Sequence, residues 1–221
     1  MSRPEGEGVI PQTSEFYRGC RSIVRWFFDL FYELDVYGLE RIPLRGGVIF
    51  ASNHASFLDP PAIGCRVDRQ LHYFARNTLW RPPLGWILDR LEAIPVRPNE
   101  SDVQALRGIF KALASGGSIA LFPEGTRSYD GSMLPPKGGA GMLACRNHAV
   151  VVPTRIFGSY EAYSRKDLLP RLFHPITVVY GEALHPEDYD PGKAHPERYL
   201  EASRRIMHAI EKLSLPPSTI V

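Results

Sequence analysis

Cysteine is scarce in this chain. Cys20, Cys65 and Cys145 are odd in number and far apart, which excludes a disulfide framework and any C-x-x-C redox or zinc motif and points to a reducing compartment. Long apolar runs are missing as well: no uncharged stretch approaches the ~20 residues that cross a bilayer, so no transmembrane span is predicted. Residues 1–14 carry Glu5, Glu7, Pro4 and Pro11 where a signal peptide needs a basic start and an apolar run, and they read as a loose cytoplasmic lead. A surplus of one charge is lacking too. The formal net charge is +2 with basic residues spread along the chain, which argues against nucleic acid as a partner. There is no Gly-x-Ser-x-Gly elbow, and Cys65 and Cys145 fall in apolar helical patterns that fit inert buried thiols. An acyl-enzyme on serine or cysteine is therefore disfavoured.

What is present begins with enough apolar sequence for one large domain, 44% of 221 residues. Residues 16–34 form an amphipathic helix on the wheel, with Ile23, Val24, Phe27, Leu30, Phe31 and Leu34 on one face and Arg18, Arg21, Arg25 and Asp29 opposite. That face either docks on its own domain or sinks into a lipid headgroup layer. Beyond it, short runs rich in Val, Ile and Phe at 47–52, 71–75, 93–96, 118–122, 150–157 and 176–181 read as strands. Helical patterns occupy 60–67, 82–91, 102–115, 139–147 and 196–213. The alternation predicts an α/β fold, a mixed β-sheet flanked by helices. The division is a lead and amphipathic helix over 1–34, then one domain over 35–221.

Two segments carry chemistry. His54 follows a predicted strand and precedes Asp59-Pro60-Pro61, so both residues sit where a strand turns into a helix, the usual place for reactive groups in α/β folds. A histidine there takes a proton near neutral pH, and a nearby carboxylate fixes its tautomer and steadies the imidazolium. Asp59 has a second, compatible reading as an N-cap before proline. The H-x-x-x-x-D spacing is weak by itself, since His185 and Asp190 repeat it in an acidic, proline-bearing stretch that reads as a surface loop. The other segment, Phe122-Pro123-Glu124-Gly125-Thr126-Arg127-Ser128, ends a strand with a glycine that lets backbone approach a ligand and an arginine that forks onto phosphate oxygens. Its plain reading is a turn with a Glu124–Arg127 ion pair. Arg97 and Lys137, each just past an apolar segment, are further candidate cations.

Together these residues resemble the PlsC-type glycerolipid acyltransferases, the 1-acyl-glycerol-3-phosphate acyltransferases, over about residues 35–182. Asn53-His54 with Asp59 resembles the family's first block and Phe122 to Ser128 its third. Ala93-Ile94-Pro95-Val96-Arg97 resembles the second, with Glu92 where a glycine is usual and no acidic residue before the arginine. Val151-Val152-Pro153-Thr154 resembles the fourth. The resemblance implies His54 as general base and Asp59 as its orienting partner, with Arg97, Glu124, Gly125, Thr126 and Arg127 binding the substrate. It implies acyl transfer from acyl-CoA or acyl carrier protein to the free hydroxyl of a lysophospholipid, giving phosphatidic acid, with no metal or other cofactor. It also implies a peripheral or monotopic place on the cytoplasmic face of a membrane, with the N-terminal helix and residues 160–173 as contacts. Three alternatives remain open on the residues: transfer to glycerol 3-phosphate or another lyso-lipid, a metal-dependent phosphoester hydrolase using His54 and Asp59 as ligands, and a non-catalytic phospholipid-binding module.

Overall fold

The computed structural model describes residues 13–96 and 103–217. Its centre is strand β2 (Val48–Ser52), whose five side chains are all buried. The two-residue period of a strand sends Val48 and Phe50 into one apolar cluster and Ile49 and Ala51 into the other, so this strand needs cover on both faces. It pairs in parallel with β6 (Ser118–Leu121) on one side and β7 (Val150–Phe157) on the other. Beyond β6 lies β3 (Leu71–His72), while β8 (Ile176–Tyr180) runs antiparallel to β7 and β1 (Leu34–Tyr37) pairs in parallel with β8 at the far edge. The sheet is thus mixed, in the order β1-β8-β7-β2-β6-β3.

Helices cover both faces. On the Ile49 face lie α4 (Val103–Ala114), α5 (Gly138–Asn147) and α8 (Arg198–Glu211); on the Phe50 face lie α1 (Glu15–Phe31) and the short α2 (Asp59–Gly64). Helices α5 and α8 cross closely because Gly141 has no side chain: a Cβ there would stand 2.1 Å from the Tyr199 carbonyl oxygen. Shorter helices are α3 (Leu84–Arg90), α6 (Ser159–Ala162) and α7 (Pro186–Tyr189).

Several elements depart from the sequence reading for local reasons. The helix expected over 16–34 stops at Phe31, because Leu34 to Tyr37 form β1, a strand that the reading missed, and pair with the expected strand β8. The strand expected over 71–75 is two: after His72 the chain leaves the main sheet, and β4 (Phe74–Arg76) pairs with β5 (Ile94–Val96) in a separate ribbon. Residues 160–173 are helical only through Ala162. The proline of the fourth block, Pro153, sits inside central strand β7, normally a poor place for a residue without an N–H. It is tolerated where β8 steps away: Thr154 still faces Tyr180, but Val151 bridges Leu184, leaving one residue more on the β8 side. Glu92, standing where the resembling family carries glycine, has φ +53°, the left-handed backbone that glycine adopts most easily. His185 and Asp190, the repeat of the catalytic spacing, flank α7; the His185 N–H is held by Asp188 and Asp190 is paired with Arg198.

Helix α1 is bound tightly to the domain. Ser14 caps it by accepting the Tyr17 N–H at 3.2 Å, the Ser14 N–H reaches Gln70 Oε1 at 3.0 Å, and the Leu71 N–H reaches the Tyr17 hydroxyl at 3.1 Å. Arg21, expected to face solvent, instead donates to the Val67 carbonyl and pairs with Asp68. At the other end the Phe173 N–H donates to the Phe31 carbonyl at 2.7 Å. The wheel places the apolar stripe correctly but not its inner edge: Tyr17 and Phe28 are the buried residues, and Val24, Phe27 and Phe31 pack partly against the core. Ile23, Trp26 and Leu30 face solvent, at 68%, 63% and 47% exposure. Their removal and that of Phe28 should therefore differ sharply. Phe28→Ala is expected to lower the unfolding free energy by about 3–5 kcal/mol, the range for a fully buried aromatic, and Trp26→Ala by less than about 0.5 kcal/mol, as read by urea denaturation of both variants.

Candidate active site

Because β2 and β6 are parallel neighbours, the loops leaving their C-terminal ends emerge side by side, and these loops are the two chemistry-bearing segments. Asn53 clips the end of β2 to β7 by donating from Nδ2 to the Ile156 carbonyl at 3.0 Å and accepting the Ile156 N–H on Oδ1 at 2.8 Å. The next residue, His54, therefore starts from a fixed backbone. Its N–H donates to Glu124 Oε1 at 2.8 Å, and its carbonyl accepts the Ser128 N–H at 2.7 Å. The His54 ring stacks on Phe122, with centroids 3.9 Å apart and planes within 16°.

His54 Nδ1 lies 2.8 Å from Asp59 Oδ2. That oxygen also accepts the Ala55 and Ser56 N–H groups, each at 2.7 Å. Asp59 is fully buried, and an ionised carboxylate oxygen can only accept. The bond therefore assigns the proton to Nδ1 and leaves the lone pair of Nε2 free, the tautomer that a base needs. The N-cap reading of Asp59 is corrected here. Its carboxylate folds back over residues 54–56 instead of capping the following helix, where Leu58 holds the cap position without a side-chain bond and Pro60 and Pro61 have no N–H to offer.

Glu124, read from the sequence as part of the substrate cradle, is 1% exposed and faces the protein. Oε1 takes the His54 N–H and Oε2 takes the Leu134 N–H, each at 2.8 Å, so the carboxylate ties the first segment to the third. Burial raises its pKa above the ordinary value, opposed by these two backbone donors. The suggested Glu124–Arg127 ion pair is not among the ion pairs of the described residues.

The cradle itself is built from the residues beyond. Gly125 has φ +68°, and a Cβ there would lie 3.2 Å from Cδ of Lys137, which brings that candidate cation over the loop. Thr126 is exposed. Arg127 stands over Phe57, with its guanidinium carbon 3.4 Å from the ring centroid, and its Nη1 is buried with no hydrogen-bond partner among the described residues. Burial lowers its pKa from the ordinary value, and the positive charges of Arg165 and Arg76 press in the same direction against Asp59. Phe57, Arg76 and Arg165 carried no site signal in the sequence. The first is an apolar residue inside the His54 loop, and the cations come from β4 and the loop after α6, distant in the chain. Arg97 lies outside the described residues. Cys65 and Cys145 are buried, with thiols pushed up to about 12 and about 11 chiefly by burial, unsuited to forming a thiolate nucleophile at neutral pH. Among the described residues, no three of His, Cys, Asp and Glu converge as metal ligands.

Comparison with known proteins follows this geometry. A family model described as Acyltransferase matches residues 33–157. The chloroplastic 1-acyl-sn-glycerol-3-phosphate acyltransferase of Brassica napus is 31% identical over 133 residues, covering 58% of this chain and 38% of that protein. The 1-acyl-sn-glycerol-3-phosphate acyltransferase of Bacillus subtilis is 27% identical over 202 residues, covering 89% of this chain and 98% of that protein. The chain thus spans under two fifths of the plant relative's length and nearly all of the bacterial one. The crystal structure of the 1-acyl-sn-glycerophosphate (LPA) acyltransferase PlsC of Thermotoga maritima superposes with a TM-score of 0.69 at 26% identity, over 90% of this chain and 82% of that one.

The double role of the Glu124 carboxylate is open to test. Glu124→Ala strands two backbone N–H groups and is expected to lower the unfolding free energy by about 2–4 kcal/mol, whereas Thr126→Ala at the exposed neighbouring position should change it by less than about 0.5 kcal/mol. Calorimetric melting of the two variants checks this.

Proposed function

Since the chain belongs to the Acyltransferase family, we propose that it transfers a fatty acyl group from an acyl thioester, on coenzyme A or acyl carrier protein, to the free hydroxyl of 1-acyl-glycerol-3-phosphate, giving phosphatidic acid. The observation that carries this reading is the His54–Asp59 pair at 2.8 Å with Nε2 left as the basic nitrogen, beside an arginine, Arg127, that has no carboxylate partner among the described residues. Nε2 takes the proton of the acceptor hydroxyl as its oxygen attacks the thioester carbonyl carbon. The tetrahedral intermediate collapses by breaking the carbon–sulfur bond, and the imidazolium returns the proton to the departing thiolate. The buried Asp59 charge stabilises the imidazolium between those steps. Arg127, with Gly125 and Thr126 and with Arg97 from the neighbouring segment, holds the acceptor phosphate so that the hydroxyl meets His54, which is positioning catalysis. Glu124 serves by holding His54 in place. His54→Ala and Asp59→Asn are expected to lower kcat for transfer to lysophosphatidic acid by about 10²–10⁴-fold without loss of fold, and wild-type turnover should survive EDTA. Full activity in His54→Ala would remove the mechanism, and EDTA sensitivity would favour a metal-dependent reaction.

An acceptor that lives in a bilayer needs an enzyme that meets the bilayer. No helix among the described residues is long and apolar enough to cross a membrane. The outer stripe of α1, Ile23, Trp26 and Leu30, is continued by Leu168, Leu169, Leu172 and Phe173, of which Leu168 is 90% exposed. The two patches are tied by the Phe173–Phe31 hydrogen bond, and the loop begins at the site mouth, where Ser164 bridges Ser56. Arg18, Arg25, Lys166 and Arg171 are exposed on the same helix and loop and suit anionic headgroups. Wild type should therefore sediment with phosphatidylglycerol-containing vesicles more than with phosphatidylcholine vesicles. Trp26→Ser combined with Phe173→Ser should stay in the supernatant; equal sedimentation of variant and wild type would move the membrane contact elsewhere.

A further inference from the structure

Arg165 was grouped by its sequence neighbourhood with the membrane-facing residues, but the fold turns it the other way. While Leu168 and Leu169 stand out in solvent, Arg165 is half-buried, with its guanidinium carbon 4.0 Å from the Tyr129 ring centroid and Nη1 donating to the Arg127 carbonyl at 3.3 Å. Its backbone is fixed. Ser164 forms a bridge with Ser56, the Ser56 hydroxyl donates to the Tyr163 carbonyl at 2.6 Å, and the Ser164 N–H and the Lys166 N–H are held within the turn by Asp167 and Ser164. Ser56 in turn donates its N–H to the carboxylate that orients His54.

Arg165 is thus tied to the Arg127 backbone, each of the two guanidinium carbons stands over an aromatic ring, and no carboxylate is paired to either among the described residues. Like charges repel, and the Arg165 charge, after burial, holds Arg127 below its ordinary pKa. An arrangement that concentrates positive charge and leaves a buried Nη1 of Arg127 without an acceptor is one that an anion completes. Aromatic stacking keeps both planes oriented while leaving their edges free to donate.

We infer that Arg165 is a further phosphate-binding residue, joining Arg127 around the phosphate monoester of the acceptor and setting the preference for a phosphate-bearing over a neutral glycerolipid. The assignment rests on the reading under Proposed function for the identity of the acceptor, and on the geometry of the two arginines for the phosphate site itself. A phosphate monoester carries close to two negative charges at neutral pH, more than the Arg127 guanidinium alone neutralises.

The test is calorimetric binding, without thioester, of lysophosphatidic acid, of the monoacylglycerol of the same chain and of coenzyme A to full-length wild type, Arg165→Gln and Arg165→Lys. Arg165→Gln should reduce the preference for lysophosphatidic acid over monoacylglycerol on the order of tenfold, or about 1.4 kcal/mol, with Arg165→Lys recovering part of it and coenzyme A affinity unmoved. A purely structural role for the Tyr129 stack would lower the melting temperature and weaken both lipids together, leaving the preference intact, and that result overturns the assignment. So does a loss that falls on coenzyme A, or a wild type with no preference for the phosphate-bearing lipid. A wild type that prefers lysophosphatidic acid, loses that preference in Arg165→Gln and still transfers no acyl group would sink the transferase reading while leaving the phosphate site standing.

Discussion

The parallel pairing of β2 with β6 is the constraint on which the site depends. The ladder runs from Val48 opposite Ser118 to Ala51 opposite Leu121, and a slip of one residue would send Ile49 and Phe50 to the wrong clusters. The observed register fixes the positions at which His54 and Glu124 leave the sheet. Two polar side chains then take over where the ladder ends. Asn53 extends the pairing to β7 through two bonds to Ile156, and Glu124 joins the His54 and Leu134 backbones. Residues from opposite ends of a 70-residue interval are held in one rigid turn before any ligand arrives.

Electrostatics divides that turn into two halves. On one side a single buried carboxylate oxygen gathers the Ala55, Ser56 and His54 donors, fixing both the loop and the tautomer. On the other, Arg127 and Arg165 stand without acids of their own on Phe57 and Tyr129. The first half gathers its donors on Oδ2 while Oδ1 of the same carboxylate is buried with no hydrogen-bond partner among the described residues, and an acceptor-only group gains nothing from an added anion. The second is satisfied only in part, since Arg127 Nη1 is buried with no hydrogen-bond partner among the described residues, and this unmatched donor is what the proposed phosphate site uses. A preorganised base beside a preorganised positive field is the arrangement that brings a phosphate-tethered hydroxyl to a proton acceptor, with little rearrangement needed on binding.

Helix α1 and the loop after α6 connect this chemistry to a surface. The inner side of α1 is core, since Phe28 is fully buried and its ring lies in a cluster with Phe27 and Tyr32. The outer stripe is apolar without being covered. The apolar arc of α1 is thus wide enough for a core-docking side and for the outer side proposed to meet lipid. The loop from Ser164 to Phe173 spans from the Ser56 bridge to the end of α1, so the exposed leucines lie on the path between site and helix.

The sequence by itself determined the sheet strands, the long helices and the two loops that carry the chemistry, because each is a local pattern. Apolar runs of five to eight residues, a 3.6-residue apolar stripe and a histidine or glutamate directly after a strand are written in consecutive residues. It left β1 unread, since Leu34 to Tyr37 have no strand character apart from their pairing with β8. It also placed Glu124 in the cradle and Arg165 at the membrane. Tertiary structure alone decided those roles, because the direction of a carboxylate and the company of an arginine depend on groups tens of residues away, the His54 N–H for Glu124 and the Arg127 carbonyl for Arg165. Patterns of burial are carried by periodicity, but the geometry of charge exists only once distant segments have met.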